Sequence, residues 1–507
     1  MTRNKDHARN IKTICLVLSI FTLIAFHIPF FRHVLSCLEG GFNGVLITAS
    51  LAVLMLALNY FFYYLLLYSG RFVGKCILAF TFIADAVSLY FINAYEVLIT
   101  DKMMGNVFNT QYSEASGFFS LSAILYILFL GIIPCIYIFR KKIDYGTFRR
   151  FLSNVGISLA IAVSVALVNM KNWPWIDRNA TELGSLLMPW SYTVNSIRFY
   201  NSEKKRNQKE IPLPDAQVER NSRDICVLII GESARKANFS LYGYEKETNP
   251  LLSQDNVTAL DAKAAATYTT AGVKAILDHK PSGKLYEILP NYLYRTGVDV
   301  IWRTNNWGEP PVHIEKFMKA KKLKEMYPDA DERYDGILLA GLKDQIMEST
   351  AEKIFVVLHT STSHGPTYNK RYPVEFEKFT PVCTTVEMSK ADPAELMNAY
   401  DNTIVYTDYL IHSVIDILKE MTDRRSCMMY VSDHGESLGE GNLYMHGVPM
   451  SVAPVEQIEI PFIVWTSEDD RNIKDVEEVG QYHVFHSVLD YLGIGSPIFD
   501  ESKSIFE

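Results

Sequence analysis

Three stretches beyond residue 220 end on residues able to hold a metal ion. Val227 to Ile230 runs into Gly231 and Glu232. Phe355 to Leu358 runs into His359 and Thr360, then Ser363-His364-Gly365-Pro366. Met428 to Val431 runs into Ser432-Asp433-His434-Gly435-Glu436. Continuous apolar runs of this length, bounded by charge, read as strands buried on both faces, the kind used in parallel sheets. In open α/β sheets, ligands gather outside the carboxyl ends of the strands. One histidine or carboxylate at such a place reads most simply as a cap, core or surface residue. Three such strand ends, aligned by a parallel sheet, bring Glu232, His364, Asp433 and His434 to one edge. Carboxylate oxygen with imidazole nitrogen suits zinc, which takes about four ligands. His446, in the loop after Asp433-His434, is placed to join them.

A phosphoryl or acyl transfer at such an edge needs a nucleophile. Thr267-Tyr268-Thr269-Thr270-Ala271-Gly272 opens a predicted helix. A hydroxyl at a helix N-terminus lies where backbone N–H groups and the helix dipole attract phosphate. A metal beside that oxygen lowers its pKa and activates it. Spacing does not choose between Thr267, Thr269 and Thr270, any of which also serves as an ordinary N-cap.

A chain of 507 residues is too long for one ordinary domain. The net charge of -8 argues against a nucleic-acid partner. Most of the apolar excess precedes about residue 172. Five segments there, near 11–30, 44–68, 73–94, 119–139 and 152–170, are each long enough, at about 20 residues, to cross the hydrocarbon core as a helix. The first lacks a small-residue cleavage site and is followed by further spans, so it reads as a membrane helix and not as a signal peptide. Arg3, Lys5, Arg9 and Lys12 precede it. Arg71 and Lys75 separate the second and third spans, and Arg140, Lys141, Lys142, Arg149 and Arg150 the fourth and fifth. The positive-inside rule then places the N-terminus in the cytoplasm and everything after the fifth span outside, as in a bacterial inner-membrane protein with a periplasmic domain. None of the seven cysteines forms a CxxC pair, which speaks against a thiolate zinc site or a dense disulfide framework.

The longest outer loop, 95–117, carries Asn106, Thr110 and Glu114 at a four-residue repeat, which stacks them on one helical face. Asp85 lies inside the third span, where an ionisable side chain needs a partner. Residues 172–200 are rich in Trp, Pro and Tyr and read as an interfacial bridge on the outer leaflet. Residues 201–217 are polar with two prolines and read as a linker. The domains are thus 1–172 in the membrane, 173–217 as bridge and linker, and 218–507 outside. In the last part, apolar runs alternate with helical patterns such as 403–420. That implies βαβ units and a mostly parallel sheet with helices on both faces.

The motifs GESARKANFSLYGYEKETNP (231–250), TYTTAG (267–272), HTSTSHGP (359–366), NAYDNTIVYTD (398–408) and SDHGESLGEGNLYMHG (432–447), behind five spans, resemble the bacterial phosphoethanolamine transferases. These include lipid A-modifying enzymes linked to polymyxin resistance, within the alkaline phosphatase and sulfatase-like superfamily. The resemblance covers nearly the whole chain. It implies one tightly bound zinc held by Glu232, Thr270, Asp433 and His434, with room for a second. It implies Thr270 as nucleophile, His364 and His446 at the phosphoryl substrate, and Asn106, Thr110 and Glu114 at the lipid. It further implies phosphatidylethanolamine as donor and an envelope acceptor, such as lipid A, lipopolysaccharide core, another glycan or a protein. Two departures stand out. The family's cysteines in this part are absent, and its NNSGCK-like stretch reads Asn305-Asn306-Trp307-Gly308-Glu309-Pro310, without the Ser and Lys. Related readings are a phosphoglycerol transferase or phosphodiesterase, or a non-enzymatic lipid-binding scaffold. A sulfatase would need a Cys or Ser for formylglycine conversion, and the threonine motif offers none.

Overall fold

Among the described residues, four helices are long and apolar enough to cross a membrane: Phe42–Gly70, Phe72–Tyr95, Leu121–Arg140 and Phe148–Val168. A fifth span is a bent pair, Ile11–Phe26 and Ile28–Cys37, turned by 60°. The span expected over 11–30 is thus present as a broken helix. Pro29 opens the second piece, and a proline cannot continue the ladder of helical hydrogen bonds. His27 sits in the break, buried, with its Nδ1 3.1 Å from the Thr22 carbonyl and its Nε2 2.9 Å from that of Met188. The structure is a computed structural model that describes residues 9–38, 41–110, 118, 120–172, 175–176, 179–206, 209–467, 472–476 and 478–507. Arg3, Lys5, Glu114, Trp173 and Pro174 lie outside them.

The chain divides into two compact units, Met1–Phe199 and Tyr200–Glu507. In the first, Asp85 finds the partner its burial requires: the Tyr192 hydroxyl donates to Oδ1 at 3.0 Å. Trp190 Nε1 donates to Asn59 Oδ1 at 3.2 Å. The aromatic segment expected to lie on the leaflet is therefore hydrogen-bonded to the second and third spans. Its helix, Trp190–Arg206, also runs into the stretch expected to be a linker. The helix carrying Asn106 ends at Asn109, and Thr110 is its C-cap, donating through both N and Oγ1 to the Asn106 carbonyl. One continuous helical face therefore does not extend through Thr110.

The second unit is built on an eight-stranded sheet. In chain order its strands are β1 Asp224–Gly231, β2 Thr258–Lys263, β3 Asp299–Thr304, β4 Lys316–Lys319, β5 Lys353–His359, β6 Arg425–Ser432, β7 Glu459–Thr466 and β8 Val479–Gly480. They lie in the order β8-β2-β7-β6-β1-β5-β3-β4. Only β7 runs against the others. Every residue of β1 and β5 is buried, as the uninterrupted apolar runs demand of strands covered on both faces. Cys226, Leu228 and Ile230 of β1 pack with Val273 and Ile276 of α1 (Thr269–Leu277) and with Val484, Phe485 and Val488 of α3 (His483–Leu492). Between these helices in sequence, α2 (Pro393–Lys419) packs against β6 with residues outside that cluster. Asp392 caps α2 by accepting from the N–H groups of Ala394 and Glu395, with Pro393 in the first turn.

Candidate active site

Sheet register gathers the site. Ile230 pairs with His359, Gly231 with Ser432, and Thr304 with His359. The residues just past β1, β3, β5 and β6 therefore emerge side by side: Glu232, Asn305-Asn306, Thr360, and Asp433-His434. Gly231 is required by packing, since a Cβ there would overlap the Tyr430 hydroxyl. The next turn is tight. Ser233 takes φ 52°, a left-handed conformation that costs a serine about 1 kcal/mol or more. It is held on both sides, by Ser233 N donating to Asp433 Oδ1 at 3.0 Å and by the Tyr400 hydroxyl donating to the Ser233 carbonyl at 2.7 Å.

Glu232 is fully buried and both its oxygens are engaged. Ser233 Oγ donates to Oε1 at 2.8 Å, and Asn306 Nδ2 donates to Oε2 at 2.7 Å. The Thr269 hydroxyl, at the first position of α1, lies 3.5 and 3.4 Å from those oxygens and 3.4 Å from His434 Nε2. α1 can come this close because Gly272 packs its Cα directly on the Asp433 carbonyl, where any Cβ would collide. Asp433 Oδ1 accepts from Ser233 N and His434 N, while Oδ2 is buried without a hydrogen-bond partner, 3.3 Å from His434 Nε2. His434 Nδ1 faces the Gly435 carbonyl at 2.8 Å, His364 Nδ1 the Gly365 carbonyl at 2.7 Å, and His446 Nδ1 Glu436 Oε2 at 2.9 Å. In each case the acceptor fixes the proton on Nδ1 and leaves Nε2 as the lone-pair nitrogen, the tautomer a metal ligand or proton carrier needs. The His446 ring stands 4.3 Å from His434 and 5.5 Å from His364, centre to centre.

Charge in this space is unbalanced. Burial alone would raise the Glu232 pKa, but His434, His364 and His446 and the Asn306 hydrogen bond outweigh it and hold it at about 2. Burial, then the Glu232 charge, push Asp433 well above the usual carboxylate range. Burial and the neighbouring His446 lower His434 to about 4, so its imidazole is neutral. Burial raises Glu436 to about 7 against the opposing influence of the histidines. Two buried carboxylates, one with an unpartnered oxygen, and imidazole nitrogens facing them form a donor set that fits a divalent cation. Glu232, His434 and His446 each offer a ligand atom within 4.8 Å of the others, and Asp433 adjoins them.

Most of the residues anticipated from sequence meet here. Glu232, Asp433, His434, His446 and His364 share one edge, and Thr270, expected there as nucleophile, is not the threonine that meets them. It is Thr269, and not Thr270, whose hydroxyl faces Glu232 and His434. A step of one residue on a helix turns the side chain by about 100°, and among the described residues Thr270 makes none of these contacts. His446, expected at the substrate, stands equally among the possible metal ligands. Asn106 and Thr110 belong to the membrane unit, and Glu114 lies outside the described residues. Sequence reasoning missed Ser233, Glu436 and the engagement of Asn306 with Glu232. Glu436 had a signal, since it closes the Asp433-His434-Gly435-Glu436 run. The other two depend on a tight turn and on a loop from another strand.

Comparison with known proteins agrees with this geometry. Residues 44–204 match the family described as "Phosphoethanolamine transferase EptA/EptB", and residues 225–494 match the sulfatase family. A phosphoethanolamine transferase EptA from Helicobacter pylori is 37% identical over 94% of this chain and 92% of its own. The EptA of Escherichia coli K12 is 30% identical over 99% of this chain and 98% of its own. The solved integral membrane lipooligosaccharide phosphoethanolamine transferase A of Neisseria meningitidis superposes with a TM-score of 0.89 at 26% identity, covering 97% of this chain and 98% of that one. The chain is an enzyme that belongs to the phosphoethanolamine transferase family, within the alkaline phosphatase and sulfatase superfamily.

Proposed function

We propose that this enzyme moves phosphoethanolamine from phosphatidylethanolamine to the lipid A part of lipopolysaccharide or lipooligosaccharide, through a covalent intermediate on Thr269. The observation that carries the reading is the Thr269 hydroxyl 3.4 Å from both Glu232 Oε2 and His434 Nε2, at a helix N-terminus beside paired carboxylates. Glu232, Asp433, His434 and Thr269 are the residues that would hold zinc, with His446 close enough to join them or a second ion. Zinc bound there would neutralise the carboxylates, draw charge from the phosphate and lower the pKa of the threonine hydroxyl.

The chain's own residues supply the remainder. Thr269 loses its proton to solvent and its oxygen attacks phosphorus, and the phosphorus–oxygen bond to the glycerol breaks. His446, oriented by Glu436, or His364, carrying a second proton on Nε2, gives that proton to the departing oxygen, so that diacylglycerol leaves. The N–H groups of the first turn of α1 face the phosphate oxygens. In the second half-reaction an acceptor hydroxyl or phosphate oxygen of lipid A attacks phosphorus. The same imidazole takes the acceptor's proton, the phosphorus–oxygen bond to Thr269 breaks, and Thr269 recovers its proton from solvent. One site serving two half-reactions gives ping-pong kinetics. Acceptance by lipid A is supported by relatives named Kdo(2)-lipid A phosphoethanolamine 7''-transferase, and a lipooligosaccharide acceptor by the name of the Neisseria enzyme. The bilayer spans anchor the chain in the inner membrane with residues 218–507 in the periplasm, where donor and acceptor meet. Asn106, Thr110 and Glu114 are carried over from the family resemblance as contacts to the lipid substrate.

The test uses purified full-length protein with fluorescent phosphatidylethanolamine in detergent micelles, with and without lipid A. Diacylglycerol release that stops with a chelator and resumes with zinc, with phosphoethanolamine appearing on lipid A, is the expected result. Release from phosphatidylglycerol in preference to phosphatidylethanolamine would overturn the donor, and labelling of another glycan but not lipid A would overturn the acceptor.

A further inference from the structure

Ser233 is the residue at this site that the reaction above leaves without a task. Its backbone φ of 52° is one that glycine adopts freely and serine does not. A position shaped only by the turn would be best filled by glycine, yet a side chain stands there. That side chain is fully buried, and its Oγ donates to Glu232 Oε1 at 2.8 Å. The same oxygen lies 3.5 Å from His446 Nδ1, the nitrogen already bonded to Glu436. Glu232 therefore sits in a two-armed clamp, with Ser233 on Oε1 and Asn306 on Oε2 at 2.7 Å. Asn306 is itself fixed by donating to the Thr360 carbonyl at 2.6 Å. The clamp has a rigid base. Tyr400 donates to the Ser233 carbonyl and accepts from Arg235 N at 3.0 Å, and the Arg235 guanidinium stacks over the Tyr400 ring at 5.5 Å.

We infer that Ser233 is a positioning residue for the metal: its hydroxyl fixes the rotation of the Glu232 carboxylate, so that the lone pairs not taken by Ser233 and Asn306 face the ion. The left-handed turn is what brings the hydroxyl of one residue back onto the carboxylate of the residue before it. This inference rests on the reading of Glu232 as a zinc ligand. Partners of this kind, bonded to a ligand and not to the metal, change affinity by about 10- to 100-fold when removed.

The experiment measures zinc affinity of the full-length protein in detergent by competition with a chromogenic chelator, alongside thermal unfolding. The proteins are wild type, Ser233→Gly, Ser233→Ala, Ser233→Thr and Glu232→Gln. Ser233→Gly is the decisive variant, because it removes the hydroxyl while relieving the turn, whereas Ser233→Ala removes the hydroxyl and keeps the strain. The expected result is a loss of zinc affinity of about 10- to 100-fold in Ser233→Gly, with an unfolding temperature equal to or above wild type. Ser233→Thr, which keeps the hydroxyl, should bind zinc more tightly than Ser233→Gly despite a lower unfolding temperature. Zinc bound as tightly by Ser233→Gly as by wild type, with Glu232→Gln impaired, would overturn the role of Ser233 and leave the zinc reading standing. A wild-type chain that takes up no zinc would overturn both.

Discussion

At the scale of single residues, the account turns on which of two adjacent threonines reacts. Thr269 is buried against Glu232 and His434, whereas Thr270 is half-buried one residue further along α1. Thr269→Ala should lower phosphoethanolamine transfer by on the order of a thousandfold or more, the scale seen when an enzyme loses its nucleophile. Thr269→Ser should keep measurable turnover, and Thr270→Ala should stay within about tenfold of wild type. Initial rates with a fluorescent donor decide the matter, and a Thr270→Ala variant as dead as Thr269→Ala would reverse the assignment. The metal-type residues Glu232, Asp433 and His434 were legible because each follows a buried strand directly. The threonine was not, because helix phase at a first turn is set by tertiary packing, here Gly272 on the Asp433 carbonyl. Ser233 was illegible for a related reason: nothing in the letters Glu-Ser-Ala announces a left-handed turn.

At the scale of elements, α1 and the strand edge must lie in close contact for Thr269 to reach Glu232. Gly272→Ala places a methyl group into the Asp433 backbone. Because backbone cannot yield as a flexible side chain does, α1 should shift away. We expect a stability loss of about 1–3 kcal/mol and a drop in transfer larger than that loss explains, read by thermal unfolding and turnover together. A second element-scale prediction concerns Asp408 on α2. Its buried carboxylate accepts from the N–H groups of Leu251 and Leu252, at 2.9 and 3.0 Å, and so holds the turn after the Asn249-Pro250 motif. Burial raises its pKa from 3.8 to about 6, against the pull of those N–H groups and of His412. The folded pKa thus lies above the unfolded one, so the folded state binds the proton more tightly. Stability from this group is fully present below about pH 4 and is lost as pH rises through about 6, by roughly 3 kcal/mol at most. The stability of Asp408→Asn relative to wild type should therefore be highest near pH 7 and fall toward pH 4. A difference flat across that window in denaturant titrations would refute it. Strands β1, β5 and β6 were legible as uninterrupted apolar runs. β2, β4 and β8 were not: β2 alternates buried and exposed residues, and β4 and β8 have only four and two residues.

At the scale of the molecule, the chain separates the work of holding the enzyme at the bilayer from the chemistry. Spans were legible because hydrocarbon forces twenty or so apolar residues into a helix. The 60° bend at His27 and the docking of Tyr192 onto Asp85 were not, since both depend on contacts between distant segments. The unit Tyr200–Glu507 has its own sheet and core, so it should fold and bind zinc when produced alone. Without the spans it loses the high effective concentration of bilayer donor. Its transfer from phosphatidylethanolamine in vesicles should fall at least about a hundredfold, while activity on a soluble short-chain donor persists. Equal rates on vesicles for the truncated and full-length chains would show the membrane unit to be dispensable.

The central claim is that Thr269 carries phosphoethanolamine between donor and acceptor. Intact-protein mass spectrometry after incubation with phosphatidylethanolamine and zinc, without acceptor, tests it most directly when joined to peptide mapping of wild type, Thr269→Ala and Thr270→Ala. The account predicts one added phosphoethanolamine on Thr269 in wild type and in Thr270→Ala, none in Thr269→Ala, and loss of the adduct when lipid A is added. An adduct mapping to Thr270, or steady turnover with no adduct under any condition, would contradict it.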